Sequence, residues 1–291
     1  MTDARRAVES AGLPVALAEA VIDRALEEDL GLGEDVTTVS TIPASLSGSA
    51  DFVARQPGVV AGLPLVALVL EKVGQGRVTL EFAATDGARV GPGEVLATAR
   101  GPVRDLLTAE RTALNLLCHL CGVATATRRW VDAVAGTGAV IRDTRKTLPG
   151  LRALEKYAVR MGGGSNHRMS LSDAALVKDN HVAAAGGVTR AFDLVRTAYP
   201  QLPIEVEVDT VEQGRAVIDA GADLVLLDNM APDDMRLLVE YGHARGARLE
   251  ASGGLSVDRA ATVAATGVDF ISVGALTHSA AVLDIGLDFT G

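Results

Sequence analysis

The chain has 291 residues, enough for one large domain or two moderate ones. Hydrophobic residues make up 48% of it and aromatics only 3%, so Ala, Val and Leu must fill the core, a balance that suits helices packed on a buried parallel sheet. A formal net charge of −10 argues against nucleic acid as the main partner, since such a partner calls for a broad basic face.

The opening MTDARRAVESAGLP lacks an apolar core segment, so no signal peptide is expected. No run of about 18 uncharged apolar residues occurs, so neither is a membrane span, and a cytoplasmic protein is the expectation. Apolar spacing of three and four predicts an amphipathic helix over 15–28. After the acidic turn EDLGLGEDVTT, the runs ADFVAR, GVVAG, RVTLEFAA and EVLATARG are punctuated by Gly74, Gly76, Gly91, Pro92 and Gly93. They predict antiparallel strands joined by tight turns. A long helix is expected from about Leu106 to Ala135, which makes the N-terminal part an α+β unit. That helix carries both cysteines, Cys118 and Cys121, in NLLCHLCG. With no second pair of ligands, this C-x-x-C reads as helix packing rather than a metal or redox site.

From Ala139 the texture changes to strand–helix alternation. Strands are predicted at AVIRD (139–143), AALVK (174–178), IEVEV (204–208), LVLLD (224–228), ARLEA (247–251) and FISVG (270–274). Helical segments such as TVEQGRAVIDAGA, PDDMRLLVEYGHARG and SVDRAATVAATG lie between them, the cadence of βα units. Right-handed crossovers of this kind build either an open doubly wound sheet or a barrel. Six clear strands fall short of eight, so a barrel would be incomplete or closed by further strands. Asp143, Lys178, Glu207, Asp209, Asp228, Ser252 and Gly274 collect at the carboxyl ends of the strands, where βα proteins of either design keep their sites.

Within IEVEVD the period of two puts Glu205, Glu207 and Asp209 on one face. Inward carboxylates must be paired, hydrated or metal-bound, because an isolated buried charge is costly. They can form structural ion pairs, or Glu207 with its neighbour Asp228 can bind sugar hydroxyls or hydrated Mg²⁺, which usually takes one or two carboxylates. The turns EASGGL and SVGALTHS follow the last two strands, where barrels often bind phosphate through backbone N–H groups. Ser252, Gly253, Gly254 and Gly274 are the candidates. The run Gly162–Gly163–Gly164–Ser165 is not a Walker loop, since no G-K-[ST] follows. It is expected to be a flexible loop that lets Asn166, His167 and Arg168 reach a ligand.

The stretch Arg142–His181 holds eight of the 27 Lys and Arg residues against four acids, a net charge of +4 that leaves −14 elsewhere. A cationic island of this kind is a trap for a small polyanion. Arg152, Lys156 and Arg160 stand four apart and read as a solvated helix face. Arg145, Lys146, Arg168 and Lys178 sit at strand ends or beside His167 and read as ligand-binding. Arginine matches carboxylates bidentately, whereas lysine meets phosphate as a point charge. Both kinds together predict ligands bearing carboxylates and phosphates.

The pieces EDLGLGEDVTT, ERTALNLL, DTRKTLPGLRALEKYAVRMGGGSNHR, LVKDNH, EVEVDT, LLDN, SGGL and VGALTHS run in order across nearly the whole chain. In them the chain resembles the quinolinate phosphoribosyltransferase family, the carboxylating nicotinate-nucleotide pyrophosphorylases. The resemblance implies an N-terminal α/β sandwich over 1–110, with 280–291 returning to it, and an incomplete (β/α) barrel over 111–279 that holds the active site. It implies a homodimer, with a hexamer left open, whose site borrows Arg111 from the partner copy. The implied substrates are quinolinate and phosphoribosyl pyrophosphate, with Mg²⁺ as cofactor. Arg111, Arg145, His167 and Arg168 would hold the pyridine carboxylates, and Lys146 and Lys178 the donor's phosphates. Glu207 and Asp228 would bind ribose hydroxyls and, through water, Mg²⁺. Ser252, Gly253, Gly254 and Gly274 would take the 5-phosphate. Rival readings are a related protein associated with molybdenum transport, a Schiff-base aldolase using Lys178, and a non-catalytic anion-binding regulator.

Overall fold

The structure, a computed structural model, describes residues 2–290. Two compact units emerge from the chain contacts, and they are interleaved. One comprises the chain up to Arg128, Thr147–Gly163 and the chain from Leu276. The other comprises Arg129–Lys146 and Gly164–Ala275. This differs from a single cut at residue 110, and the reason is local. One unbroken helix runs through that position, and a later helix is tied to it by a buried side-chain hydrogen bond.

The first unit begins with α1 (Asp3–Ser10), α2 (Val15–Leu30) and α3 (Val36–Thr41). The last of these is started by Asp35, whose carboxylate accepts from the Thr38 N–H. Strands β1 (Ser47–Ala54) and β2 (Gly58–Val59) precede α4 (Leu63–Gly74). Then come β3 (Thr79–Phe82), β4 (Arg89–Val90), β5 (Val95–Pro102) and α5 (Val103–Ala133). Helix α4 buries Leu63, Leu65, Val66, Leu68, Val69 and Leu70, so it is apolar nearly all round. Cys118 and Cys121 are unpaired thiols on α5, and the Cys121 thiol is fully buried against the backbone of Ala61. That is the packing role expected for the pair.

The chain enters the second unit at Arg129, in the last part of α5, and the first strand there is β6 (Val140–Arg142). It returns to the first for α6 (Arg152–Met161). Here Glu155 is fully buried and joins His119 of α5 at 2.9 Å while accepting from the Leu148 N–H. Lys156 is fully buried as well, which corrects the solvated-face reading at that position, while Arg152 is half-buried and Arg160 exposed. The second unit then continues through β7 (Ala175–Val177), α7 (Asp179–Ala185), α8 (Val188–Ala198), β8 (Ile204–Val208), α9 (Val211–Asp219) and β9 (Leu224–Asp228). It ends with α10 (Pro232–His243), β10 (Arg248–Ser252), α11 (Val257–Ala264) and β11 (Phe270–Ser272). Short α12 (Ala275–His278) leads to β12 (Ile285–Phe289) in the first unit.

Two kinds of sheet result. In the first unit an antiparallel sheet runs β12-β1-β5-β3, with Phe52 buried at its centre between Ala97 and Leu287. In the second, six strands lie parallel in the order β6-β11-β10-β9-β8-β7. This is an incomplete barrel, and the opening falls between β6 and β7. Strands β8 to β10 are buried on both faces, as parallel strands under helices must be. Glycines permit the closest helix contacts: a Cβ on Gly214 would lie 2.6 Å from Leu238 of α10. Among the described residues no helix is long and apolar enough to cross a membrane.

Candidate active site

All six parallel strands present their carboxyl ends to one cavity of about 480 Å³, lined only by residues of the barrel unit. Thr144, Arg145 and Lys146 follow β6, and Lys178 follows β7. Glu207 comes from β8, Asp228 and Asn229 from the end of β9, and Ser252, Gly253 and Gly254 from the end of β10. Most of the expected site residues therefore meet in one place. Gly274, in the turn after β11, is not among the residues that line the cavity; Ser272 of that strand is. Arg111 belongs to the other unit, on α5, where its side chain is 62% exposed and 4.0 Å from Glu110.

The strand order distributes charge across the site. Cations flank the opening, on β6 and β7, while carboxylates stand on β8 and β9 and the glycine turn on β10. Along β8 the inward carboxylates grade from buried Glu205 through half-buried Glu207 to exposed Asp209. The Glu207 Oε2 meets the Lys178 Nζ at 2.5 Å, with Lys178 still 47% exposed. A half-exposed, ion-paired ammonium is not the apolar pocket that an imine-forming lysine needs, which weighs against the aldolase reading. Asp228 Oδ2 accepts from the Asn229 side-chain amide at 3.0 Å.

Asn229 was not singled out in the sequence, although LLDN was. It adopts φ +53°, and its side chain lies over Gly253 so closely that a Cβ there would sit 2.5 Å from the Asn229 Cγ. Gly253, with φ +88°, is thus required twice over, by conformation and by space.

The segment 165–168 delivers His167 and Arg168. The run before it, Gly162–Ser165, and the segment itself are anchored by contacts that the sequence did not show. Gly162 ends α6 and packs against the Ala124 carbonyl, where a Cβ would be 2.5 Å away. Ser165 then pairs with Arg142 alongside β6, donating its N–H to the Ile141 carbonyl at 2.8 Å. Buried Asp143 clamps the next two residues, accepting from the Asn166 side chain at 2.5 Å and the His167 N–H at 2.8 Å. Arg168 donates to the Ala174 carbonyl at 2.9 Å. Burial, and then the nearby Arg145 guanidinium, lower the pKa of Arg168. Two guanidiniums that repel across one cavity favour an anion between them.

His167, on the cavity wall, also belongs to a buried polar cluster; of its members the sequence singled out His167 and the inward Glu205, but not Glu250 as their partner. The His167 Nε2 is 2.7 Å from Glu205 Oε2 and 3.6 Å from Glu250 Oε1, and its Nδ1 accepts from the Arg168 N–H at 2.7 Å. Both ring nitrogens are engaged inside the protein. Arg142 meets Glu250 Oε2 at 2.5 Å and lies over the Phe270 ring. His167, Glu205 and Glu250 have the convergence of a metal site. The Arg142 guanidinium already supplies the cation there.

The sequence comparisons agree with this geometry. The model of the family "Quinolinate phosphoribosyl transferase, N-terminal domain" matches residues 35–121, and that of "Quinolinate phosphoribosyl transferase, C-terminal domain" matches 123–288. The chain belongs to the quinolinate phosphoribosyltransferase family. Within this family it is 54% identical over 270 residues to the nicotinate-nucleotide pyrophosphorylase [carboxylating] of Mycobacterium leprae, covering 92% of this chain and 95% of that one. It is 41% identical to the probable nicotinate-nucleotide pyrophosphorylase [carboxylating] of Bacillus subtilis, over 90% of each. The solved structure of the nicotinate-nucleotide pyrophosphorylase from Francisella tularensis superposes with a TM-score of 0.91 at 33% identity, covering 96% of this chain and 98% of that one. A quinolinate phosphoribosyltransferase fold thus places its cations, carboxylates and glycine turn as described above.

Proposed function

We infer that this enzyme transfers the phosphoribosyl group of phosphoribosyl pyrophosphate to the ring nitrogen of quinolinate and decarboxylates the product. The outcome is nicotinate mononucleotide, pyrophosphate and CO₂, a step of NAD biosynthesis. The observation that carries this reading is the layout of one cavity: guanidiniums and ammoniums beside the opening, carboxylates on the middle strands, a glycine turn on β10.

Arg145 and Arg168 hold the two pyridine carboxylates and aim the nitrogen lone pair at ribose C1. Positioning of this sort can supply roughly 7–11 kcal/mol of a barrier. The nitrogen–C1 bond forms as the C1–oxygen bond breaks, its electron pair leaving with pyrophosphate. Glu207 and Asp228 stand where the ribose hydroxyls and the cationic C1 are expected, and they stabilise the positive charge that develops. Lys146 and Lys178 meet the departing phosphates, and Ser252, Gly253 and Gly254 take the 5-phosphate, with Gly274 just beyond. The alkylated ring then accepts the electron pair at C2 as CO₂ leaves, and C2 takes a proton.

Glu207 and Asp228 form an oxygen-only donor set on the cavity wall, without imidazole or thiolate, which suits a hard cation held through water. Mg²⁺ bound there would neutralise charge on the pyrophosphate. The exposed Arg111 is proposed to complete the clamp of a partner copy in a homodimer, and the cytoplasm is the proposed location.

The test is release of CO₂ and pyrophosphate from quinolinate, phosphoribosyl pyrophosphate and Mg²⁺, with nicotinate as the control acceptor. Turnover with quinolinate alone is expected. Absence of release from well-folded protein would overturn the reading.

A further inference from the structure

We propose that Asp143 is a positioning residue for the carboxylate clamp: it braces the turn that carries Arg145 against the segment that carries Arg168, and so sets the spacing of the two guanidiniums. This rests on the functional reading above and deepens it.

Asp143 directly follows β6, is fully buried, and is not among the residues that line the cavity. Two positions later Arg145 does line it, so Asp143 stands at the root of that turn. Its Oδ2 accepts from the Asn166 side-chain amide and its Oδ1 from the His167 N–H. Arg168 is the next residue in the chain. One carboxylate thus fixes the backbone beside both guanidiniums. It grips the segment by atoms that leave the His167 and Arg168 side chains to the cavity, which both of them line.

The backbone completes the brace. Ser165 donates its N–H to the Ile141 carbonyl at 2.8 Å, and its own carbonyl accepts from the Asp143 N–H at 3.2 Å. The chain at Ser165 therefore runs parallel to β6, an end strand of the six-stranded sheet. A brace is needed here because Arg145 and Arg168 repel one another. Unbraced, like charges on two loops settle further apart, whereas vicinal carboxylates on a planar ring are gripped bidentately only within a narrow range of spacing. Burying a carboxylate is costly, and such cost is concentrated where a site must be held rigid. The ligand class selected is a planar ring with vicinal carboxylates.

The probe is benzene-1,2-dicarboxylate (phthalate), which has both carboxylates but no nitrogen to react. In the full-length enzyme, Asp143→Ala is expected to weaken phthalate binding by calorimetry, and to raise the quinolinate KM, by about tenfold to a hundredfold. Lys146 shares the turn, but a flexible ammonium meets phosphate as a point charge and tolerates a small shift. The KM for phosphoribosyl pyrophosphate should therefore stay within about threefold, a split that general loosening of the fold would not give. Asp143→Asn keeps an acceptor for the His167 N–H and, once the Asn166 amide turns over, a donor for its oxygen. It should restore most of the affinity. A folded Asp143→Ala protein that grips phthalate like the wild type would overturn the proposal. So would an Asp143→Asn protein as weak as Asp143→Ala, because the charge rather than the two bonds would then serve the site.

Amide hydrogen exchange of the wild type tests the brace without any variant. The His167 N–H should be protected in the free enzyme, and phthalate should add little to that protection. Protection that arises only in the complex would mean that the ligand orders the segment, against the proposal. Failure of the functional reading looks different: a wild-type enzyme that neither binds phthalate nor releases pyrophosphate, with the His167 amide still protected, removes both.

Discussion

Glu250 shows what a single residue gives up for this site. Burial, reinforced by the charge of Glu205, pushes its carboxyl up to about 7, against the opposing pull of Arg142 and His167. Unfolded, it would titrate near 4.5, so the native chain holds this proton more tightly than the unfolded chain does. The stability linked to that proton is present in full below about pH 4.5 and is lost as pH rises through about 7. A shift of this size bounds the loss at about 3 kcal/mol. Glu250→Gln cannot ionise. Between about pH 5 and pH 8 the wild-type thermal midpoint should therefore fall several degrees further than that of the variant. Parallel pH profiles for the two proteins would refute the assignment. Period-two alternation gives the inward face of Glu205 but not its partners, because His167 lies 38 positions earlier and Glu250 45 later. Local pattern cannot reveal a pairing made only by closing a sheet.

At the scale of elements, the barrel strands were legible for a physical reason. Doubly buried parallel strands read as short aliphatic runs, and polar residues gather at or beside their carboxyl ends because those ends meet the cavity. All six predicted strands coincide with β6 to β11 to within two residues at each end. Helix α4 was hidden by the same burial: LPLVALVLEKVG is apolar on nearly every face, so no stripe of period 3.6 marks it. Only Gly62 at φ +108° and Pro64 in the first turn signal its start. The turn after β10 was expected to take a phosphate; its close packing against Asn229 was invisible in the sequence. Gly253→Ala places a methyl group against Asn229 in a left-handed conformation. The displaced turn should raise the KM for phosphoribosyl pyrophosphate by at least about tenfold. Phthalate affinity, set on the far flank of the sheet, should change little. Equal loss for both ligands in a folded variant would show that the turn does not serve the phosphate alone.

For the whole molecule, the cationic island proves to be two features. Arg145, Lys146, Arg168 and Lys178 line the cavity, and Arg142 lies beneath it on Glu250. Arg152, Lys156 and Arg160 belong to α6 in the other unit, with Lys156 fully buried. Contiguity in sequence overstated the charge available to a ligand, because the chain leaves the barrel between Lys146 and Gly164. Within the barrel unit, Arg145 and Arg168 are the guanidiniums that line the cavity. Two vicinal carboxylates gripped bidentately, against a pyrophosphate that also needs cations, leave room for one more. Arg111 is exposed and makes only a marginal 4.0 Å contact with its neighbour Glu110. If it serves a partner copy, Arg111→Ala and Lys178→Ala proteins are each inactive alone but complementary when mixed. Half of the randomly reassembled dimers pair one of each and regain one intact site, so activity should return to about a quarter of the wild-type rate. Proven subunit exchange without recovery would place Arg111 outside the shared site and leave the clamp to Arg145 and Arg168.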